Sequence, residues 1–212
     1  MSESSPGEIC YDPSDAQILS AAAAVVAGDA LPALGDYVER VFFVERPEDL
    51  EHPKLRFLYG YWSGLAARKP GGRVARQDVD VTELKVALGN LLLLDVEREG
   101  LDAVYRVYGS GVADQAGRDW TGWRVSEMNR QARTPLALLY RACYRAVWET
   151  GRPLFSLSKS PPWLPARAWQ RLILPLFGPD GDCRAFLVGN VPVEPRHISY
   201  EDRQKIRKRH QG

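Results

Sequence analysis

Residues 105–128 read YRVYGSGVADQAGRDWTGWRVSEM. The segment opens as the end of a strand, because AVYRVY at residues 103–108 is rich in β-branched and aromatic side chains. Gly109 and Gly111 then turn the chain into a short helical region that contains further glycines. The segment is thus a strand, a glycine turn and short helices. The fold then depends on the strands and helices that flank it.

On the N-terminal side, residues 91–96 form a continuous apolar run, which is typical of a strand covered on both faces. With residues 103–108 this run predicts a β-hairpin. On the C-terminal side, residues 135–150 predict a long helix, with Thr134 before it as a cap and Pro135 in its first turn.

Three further strands are predicted after the long helix, at residues 154–158, 170–177 and 185–193. The last two are joined by GPDGD at residues 178–182, a strong turn signal. Because hairpins rather than crossovers connect the strands, the fold class is α+β. We expect a five-stranded antiparallel sheet with helices on one face.

The N-terminal part of the chain predicts helices that precede this sheet. Apolar residues recur at helical spacing in residues 16–27, 32–44 and 53–65, and a short helix is predicted at residues 81–88. The charged residues 45–51 resemble a linker.

These patterns divide the chain into three parts. They predict an N-terminal leader and helical extension at residues 1–52, a main domain with its lead-in helix at residues 53–196, and a basic tail at residues 197–212.

Four segments carry a resemblance to a known family. They are LRFLYGYWSGL (residues 55–65), NLLLLDVE (90–97), the opening stretch (105–128) and QRLILPLFGPDG (170–181). The chain resembles a PAS domain, and more narrowly a bacterial group of small single-PAS proteins with an N-terminal helical lead-in. The resemblance implies a sensory or regulatory module, often dimeric, with a cavity between sheet and helices. It does not imply a particular ligand.

Charge and cysteine content restrict the compartment and the partners. The net charge is +1, but residues 1–53 carry 11 acidic and 2 basic side chains, so residues 54–212 balance at +10. The three cysteines are far apart, which predicts no disulfide framework and favours the cytoplasm. The acidic N-terminus predicts no export, and no apolar run approaches the ~20 residues of a membrane span, so we expect no membrane insertion.

Neither a cofactor nor an enzyme is predicted. His52, His197 and His210 lie outside the core elements, where a haem ligand is not expected, and no Asn-Cys-Arg-Phe-type flavin motif is present. Cys143 is interpreted as core packing rather than a reactive thiol. GxSxG, HExxH, phosphate-loop and CxxC motifs are all absent. Asp119 is interpreted as a turn residue.

A ligand cavity is predicted between the long helix and the sheet. The expected wall residues are Tyr105, Val107, Leu139, Tyr140, Cys143, Val147, Phe155, Arg171, Leu187 and Asn190. Strand alternation leaves open whether Tyr105 and Val107 or Arg106 and Tyr108 point inward. Arg171 and Asn190 are either solvated outward positions or, if inward, polar anchors for a carboxylate or carbonyl on a mainly apolar ligand.

The sequence therefore favours a cytoplasmic sensory module that binds a small apolar molecule and acts through protein contacts, with an unknown protein partner. The apolar stripes at residues 16–44 predict a homodimer through the N-terminal helices. Two alternatives stay open: a ligand-free interaction adaptor with a self-filled core, and nucleic-acid binding through the basic residues 203–210, which is less favoured because no aromatic residue is interleaved with the charges.

Overall fold

The computed structural model describes residues 10–161, 164–194 and 199–209. His197 and His210 lie outside these ranges. The helices and strands follow the chain in this order: α1 (Asp15–Ala27), α2 (Leu31–Leu34), β1 (Val38–Phe43), α3 (Pro53–Ala66), β2 (Leu91–Glu97), β3 (Asp102–Tyr108), α4 (Ser110–Ala116), α5 (Val125–Ala132), α6 (Ala137–Thr150), β4 (Leu154–Lys159), β5 (Ala168–Phe177), β6 (Cys183–Val193) and α7 (Tyr200–Arg209).

The sheet is antiparallel and has six strands in the order β1-β4-β5-β6-β2-β3. The α+β class and the antiparallel hairpins are confirmed, but the sixth strand corrects the five that were predicted. β1 comes from residues predicted as a helix, and it pairs with β4 as an edge strand. The domain boundary predicted between residues 52 and 53 therefore separates β1 from its own sheet.

Helices cover both faces of the sheet, where helices on one face were predicted. On one face, α3 packs against β5 and β6, with Leu55, Leu58 and Trp62 in a core that includes Leu172 and Leu187. On the other face lies the second core, which contains α6 and side chains of α1, α4 and α5. Successive side chains of the central strands point to opposite faces of the sheet, so each strand contributes apolar residues to both cores. This is why the apolar runs of these strands are continuous in the sequence.

The first helix packs against α6 of the same chain. α1 begins with a capping box between Ser14 and Gln17. Its apolar stripe, including Ala22 and Val25, is buried in the core that also contains Ala142 of α6. The stripe that predicted a homodimer is thus covered within one chain. No helix among the described residues is long and apolar enough to span a membrane.

A close backbone approach fixes the start of α4. A Cβ atom at Gly109 would lie 2.6 Å from the carbonyl oxygen of Gly89, so the turn requires glycine there. Before β2, residues 81–87 form turns, where a short helix was predicted at residues 81–88. A 3₁₀ turn, Leu88–Asn90, then leads into β2. Leu84 is buried, whereas Leu88 is exposed.

Candidate functional site

The central strands place two polar side chains opposite each other on the face under α6. Arg171 of β5 pairs in register with Asn190 of β6, and both side chains are buried. The Nε atom of Arg171 donates to Oδ1 of Asn190 at 3.3 Å. The inward alternative for these two residues is therefore the correct one.

Four tyrosines surround the guanidinium, two on β3 and two on α6: Tyr105, Tyr108, Tyr140 and Tyr144. The centre of the guanidinium lies 4.0 Å from the ring centroid of Tyr140, which is a cation–π contact. Burial raises the pKa of the hydroxyls of Tyr105, Tyr108 and Tyr144, so all three are neutral at physiological pH. The pKa of Arg171 lies above its ordinary value, because burial acts to lower it while coupling to the ionisation of the tyrosines, which occurs only at alkaline pH, acts to raise it. The side chain is therefore cationic at physiological pH, where the tyrosines are neutral.

A cavity of about 60 Å³ adjoins this pair. It lies between the sheet and the helices α4, α5 and α6. Its wall consists of Tyr108, Val112, Ala116, Trp120, Met128, Ala132, Thr134, Tyr140, Pro161, Leu164, Trp169, Arg171 and Asn190. The wall is mostly apolar with a few convergent polar groups, the arrangement found in small-molecule sites.

Three of the ten predicted wall residues line this cavity: Tyr140, Arg171 and Asn190. Four others lie on the same side of the sheet but in the closed core rather than in the cavity wall, namely Tyr105, Leu139, Cys143 and Val147.

Three predicted wall residues lie elsewhere. Phe155 and Leu187 belong to the core under α3, because strand alternation directs them to the opposite face. Val107 is 47% exposed.

A β-bulge explains the position of Val107. The pairing of β2 with β3 shifts between Leu93 and Leu94, where Leu93 lies opposite Val107 and Leu94 opposite Tyr105. The extra residue, Arg106, interrupts the alternation, so Tyr105 and Tyr108 both contribute to the core on the α6 face. Neither of the two simple alternations considered from the sequence is the observed one.

Several wall residues were missed, most of them in the connection from β3 to α6: Val112, Trp120, Met128 and Thr134. The signal that could have found them is the glycine turn at residues 109–111, where α4 begins. Asp119 accepts hydrogen bonds from the backbone nitrogen and the hydroxyl of Thr121, both at 2.8 Å, so it is the turn residue that was expected.

No cluster of three or more metal-ligand side chains is found within residues 10–161, 164–194 and 199–209. Cys10 is exposed, whereas Cys143 and Cys183 are buried. The groups able to orient a ligand in the cavity are therefore the guanidinium of Arg171, the amide of Asn190 and the hydroxyls of the wall.

Comparison with known proteins gives a family and distant structural relatives. Residues 50–187, more than half of the chain, match the family described as PAS domain. No curated protein matches the chain. One similar solved structure is an RNA-binding light-oxygen-voltage receptor, with 10% identity and a TM-score of 0.38 over 92% of this chain and 62% of the receptor. The chain thus spans less than two thirds of that receptor. Another is the IcIR transcriptional regulator from Alicyclobacillus acidocaldarius, with 15% identity and a TM-score of 0.30 over 92% of this chain and 94% of the regulator.

Proposed function

Because this chain belongs to the PAS-domain family, we propose that it is a non-enzymatic sensory module that binds a small molecule in the cavity under α6. The observation that carries the proposal is the cavity itself, whose apolar wall is interrupted by the buried Arg171–Asn190 pair. Apolar burial supplies affinity in such a site, and the polar pair supplies orientation. We place this function in the cytoplasm, in keeping with cysteines that form no disulfide among the described residues.

The path from ligand to partner runs through α6. Tyr140 contributes to the cavity wall from the first turn of α6, and α1 packs along the same helix. A ligand that favours one position of α6 shifts the population of α1 positions by its differential affinity for the two states. The partner that reads this change is a second copy of the chain or another protein.

A filling substitution tests the proposal. Ala132, the last residue of α5, is partly buried in the cavity wall. We expect Ala132→Phe to fill the cavity, and to abolish both the small-molecule mass retained in native mass spectrometry and any ligand-induced rise in melting temperature. Ala66→Phe is the matched control, because Ala66 is also partly buried and ends α3 on the opposite face of the sheet.

Two results would contradict ligand binding. One is an Ala132→Phe variant that retains the same small molecules as the native chain. The other is a native chain that retains no small molecule and responds to none.

The second result would favour the ligand-free adaptor. A specific observation supports this alternative: four of the predicted wall residues, Cys143 and Val147 among them, are packed in a closed core. In an adaptor the cavity holds water, and the contacts made by α1 and the sheet surface carry the function. Ala132→Phe would then leave partner binding unchanged.

A further inference from the structure

The Arg171 guanidinium is a buried cation without a carboxylate partner among the described residues. The side chain is 6% exposed, and its Nη1 atom has no hydrogen-bond partner among the described residues. Its partners are one amide oxygen, that of Asn190, and the ring of Tyr140. A buried charge is costly unless it is paired and hydrogen-bonded, so this arrangement is incomplete as it stands.

Another deeply buried arginine on this face of the sheet lies beside carboxylates, although its Nη2 atom likewise has no hydrogen-bond partner among the described residues. Arg141 of α6 is 3% exposed and lies within 3.7 Å of two carboxylates, those of Asp12 and Asp15. It also donates to the carbonyl oxygens of Leu101 and Pro13, at 2.8 and 3.1 Å. Within the described part of the chain, carboxylates thus flank one buried guanidinium and not the other.

The difference coincides with the cavity. Arg171 lines it, and none of the other residues in its wall is acidic or basic. The charge of the wall is therefore +1, with a donor atom left unused. The remaining wall, including Val112, Met128 and Trp169, is apolar. A ligand that satisfies this cavity carries one negative charge and a short apolar body.

We propose that the cavity binds a small monocarboxylate whose carboxylate pairs with the Arg171 guanidinium. This inference rests on the proposed ligand-binding function and names its ligand class. One water requires about 10–15 Å³ of such space, so a cavity of about 60 Å³ holds about four to six non-hydrogen atoms. The series from acetate to butyrate spans this size.

The first test uses the native full-length chain. Acetate, propionate and butyrate are compared with acetamide, propionamide and butyramide by calorimetry and by thermal shift. Each amide matches its acid in size and lacks the charge. We expect saturable binding of at least one acid, at least tenfold tighter than binding of its amide. Equal or tighter binding of the amides would overturn the inference.

Two variants test the role of the guanidinium. Arg171→Gln removes the charge from the cavity and should weaken binding of the preferred acid at least tenfold. Arg167→Gln is the control, because Arg167 is an exposed arginine near the start of β5 that pairs with Glu194 outside the cavity. Its binding of the acid should match that of the native chain. Retained binding by Arg171→Gln would overturn the inference.

A third variant keeps the test decisive if Arg171→Gln does not fold. Asn190→Asp places a carboxylate at the atom that already accepts from Nε. This internal counter-ion should raise the melting temperature of the free chain and weaken binding of the acid at least tenfold. A lower melting temperature together with unchanged binding would contradict an uncompensated cation at this position.

Failure of the inference can be distinguished from failure of the proposed function. If neutral molecules bind and Ala132→Phe blocks them, the sensory cavity stands and the carboxylate assignment is wrong. If neither acids nor amides bind, the carboxylate assignment is wrong, and the proposed function fails as well only if native mass spectrometry also shows that the chain retains no small molecule. If chloride or inorganic phosphate alone produces the thermal shift, the site is for an inorganic anion and the organic ligand class is wrong.

Discussion

At the scale of single residues, two buried thiols make the free energy of unfolding depend on pH. Burial raises the pKa of Cys143 and of Cys183 to about 12. Both thiols belong to the core on the α6 face, Cys143 on α6 and Cys183 as the first residue of β6. Both thiols are therefore neutral in the folded chain over the whole physiological range.

The sign of the resulting pH dependence follows from linkage. Below about pH 9 both thiols are protonated whether the chain is folded or unfolded, and their contribution to stability is fully present. Above pH 9 the unfolded chain loses these protons first, so the free energy of unfolding falls as pH rises toward 12. We expect a loss of about 3 kcal/mol at pH 10 for the two thiols together. Urea unfolding at pH 8 and pH 10, under reducing conditions, measures it.

The control for this prediction removes the titrating groups. A Cys143→Ala, Cys183→Ala variant is less stable at pH 8, because cavities replace the thiols. Its further loss between pH 8 and pH 10 should be smaller than that of the native chain. An equal loss in both proteins would assign the alkaline effect to other groups.

At the residue scale, the sequence singled out the polar positions but left their direction open, and it failed where strand register decides. Arg171 and Asn190 are conspicuous as polar residues in apolar strands, and both line the cavity. Val107 was expected there because a strand alternates with period two. The bulge at Arg106 cancels that alternation, and the sequence carries no local mark of the bulge.

At the scale of elements, acidic residues at the start of α1 attach this helix to the body. We define the N-terminal clasp as Asp12 and Asp15 with Arg98, Arg130 and Arg141. Asp12 pairs with Arg130 at 3.0 Å and Asp15 with Arg98 at 2.7 Å, while both flank Arg141 at 3.6–3.7 Å. The exposed pairs contribute little by themselves, but Arg141 is buried and depends on these carboxylates.

Neutralising the clasp should loosen α1. We expect Asp12→Asn, Asp15→Asn to lower the stability of α1 by about 1–2 kcal/mol, which speeds hydrogen exchange of its amides about tenfold. Asp29→Asn is the control, since Asp29 follows the end of α1, is exposed and makes no ion pair with a described residue. Unchanged exchange in α1 of the double variant would contradict the clasp.

The elements differ in how far the sequence determined them. α3 was predicted correctly because Leu55, Leu58 and Trp62 repeat at helical spacing on a face that is buried. Residues 38–43 also matched helical spacing, yet VERVFF is rich in strand-forming residues, and β4 offered a free edge for pairing. Tertiary pairing decided between two local patterns that were both present. The continuous apolar run at residues 91–96 indicated a strand covered on both faces, yet helices were predicted on one face only. The second face is covered by α3.

At the scale of the whole molecule, the charge asymmetry of the sequence is partly balanced inside the chain, by four of the eleven acidic residues in residues 1–53. The N-terminal segment is acidic and the rest is basic, and the structure pairs them through the N-terminal clasp and through contacts such as Glu45–Arg152 and Glu39–Lys159. The acidic segment is thus joined to the body by sheet pairing, by burial of α1 and by ion pairs. A separable extension would share none of these contacts.

Truncation distinguishes an integral N-terminal segment from a separable one. Deleting residues 1–45 removes α1 from α6 and β1 from β4, which exposes an apolar helix face and an unpaired strand edge. We expect the shortened chain to lose cooperative thermal unfolding and to form larger particles as its concentration rises, as measured by circular dichroism and light scattering. Deleting residues 199–212 is the control, because the described side chains of α7 are largely exposed, and this variant should unfold as cooperatively as the full chain. A cooperative and monodisperse chain without residues 1–45 would instead support the boundary at residues 52 and 53 that the sequence predicts, and β1 would then be dispensable to the sheet.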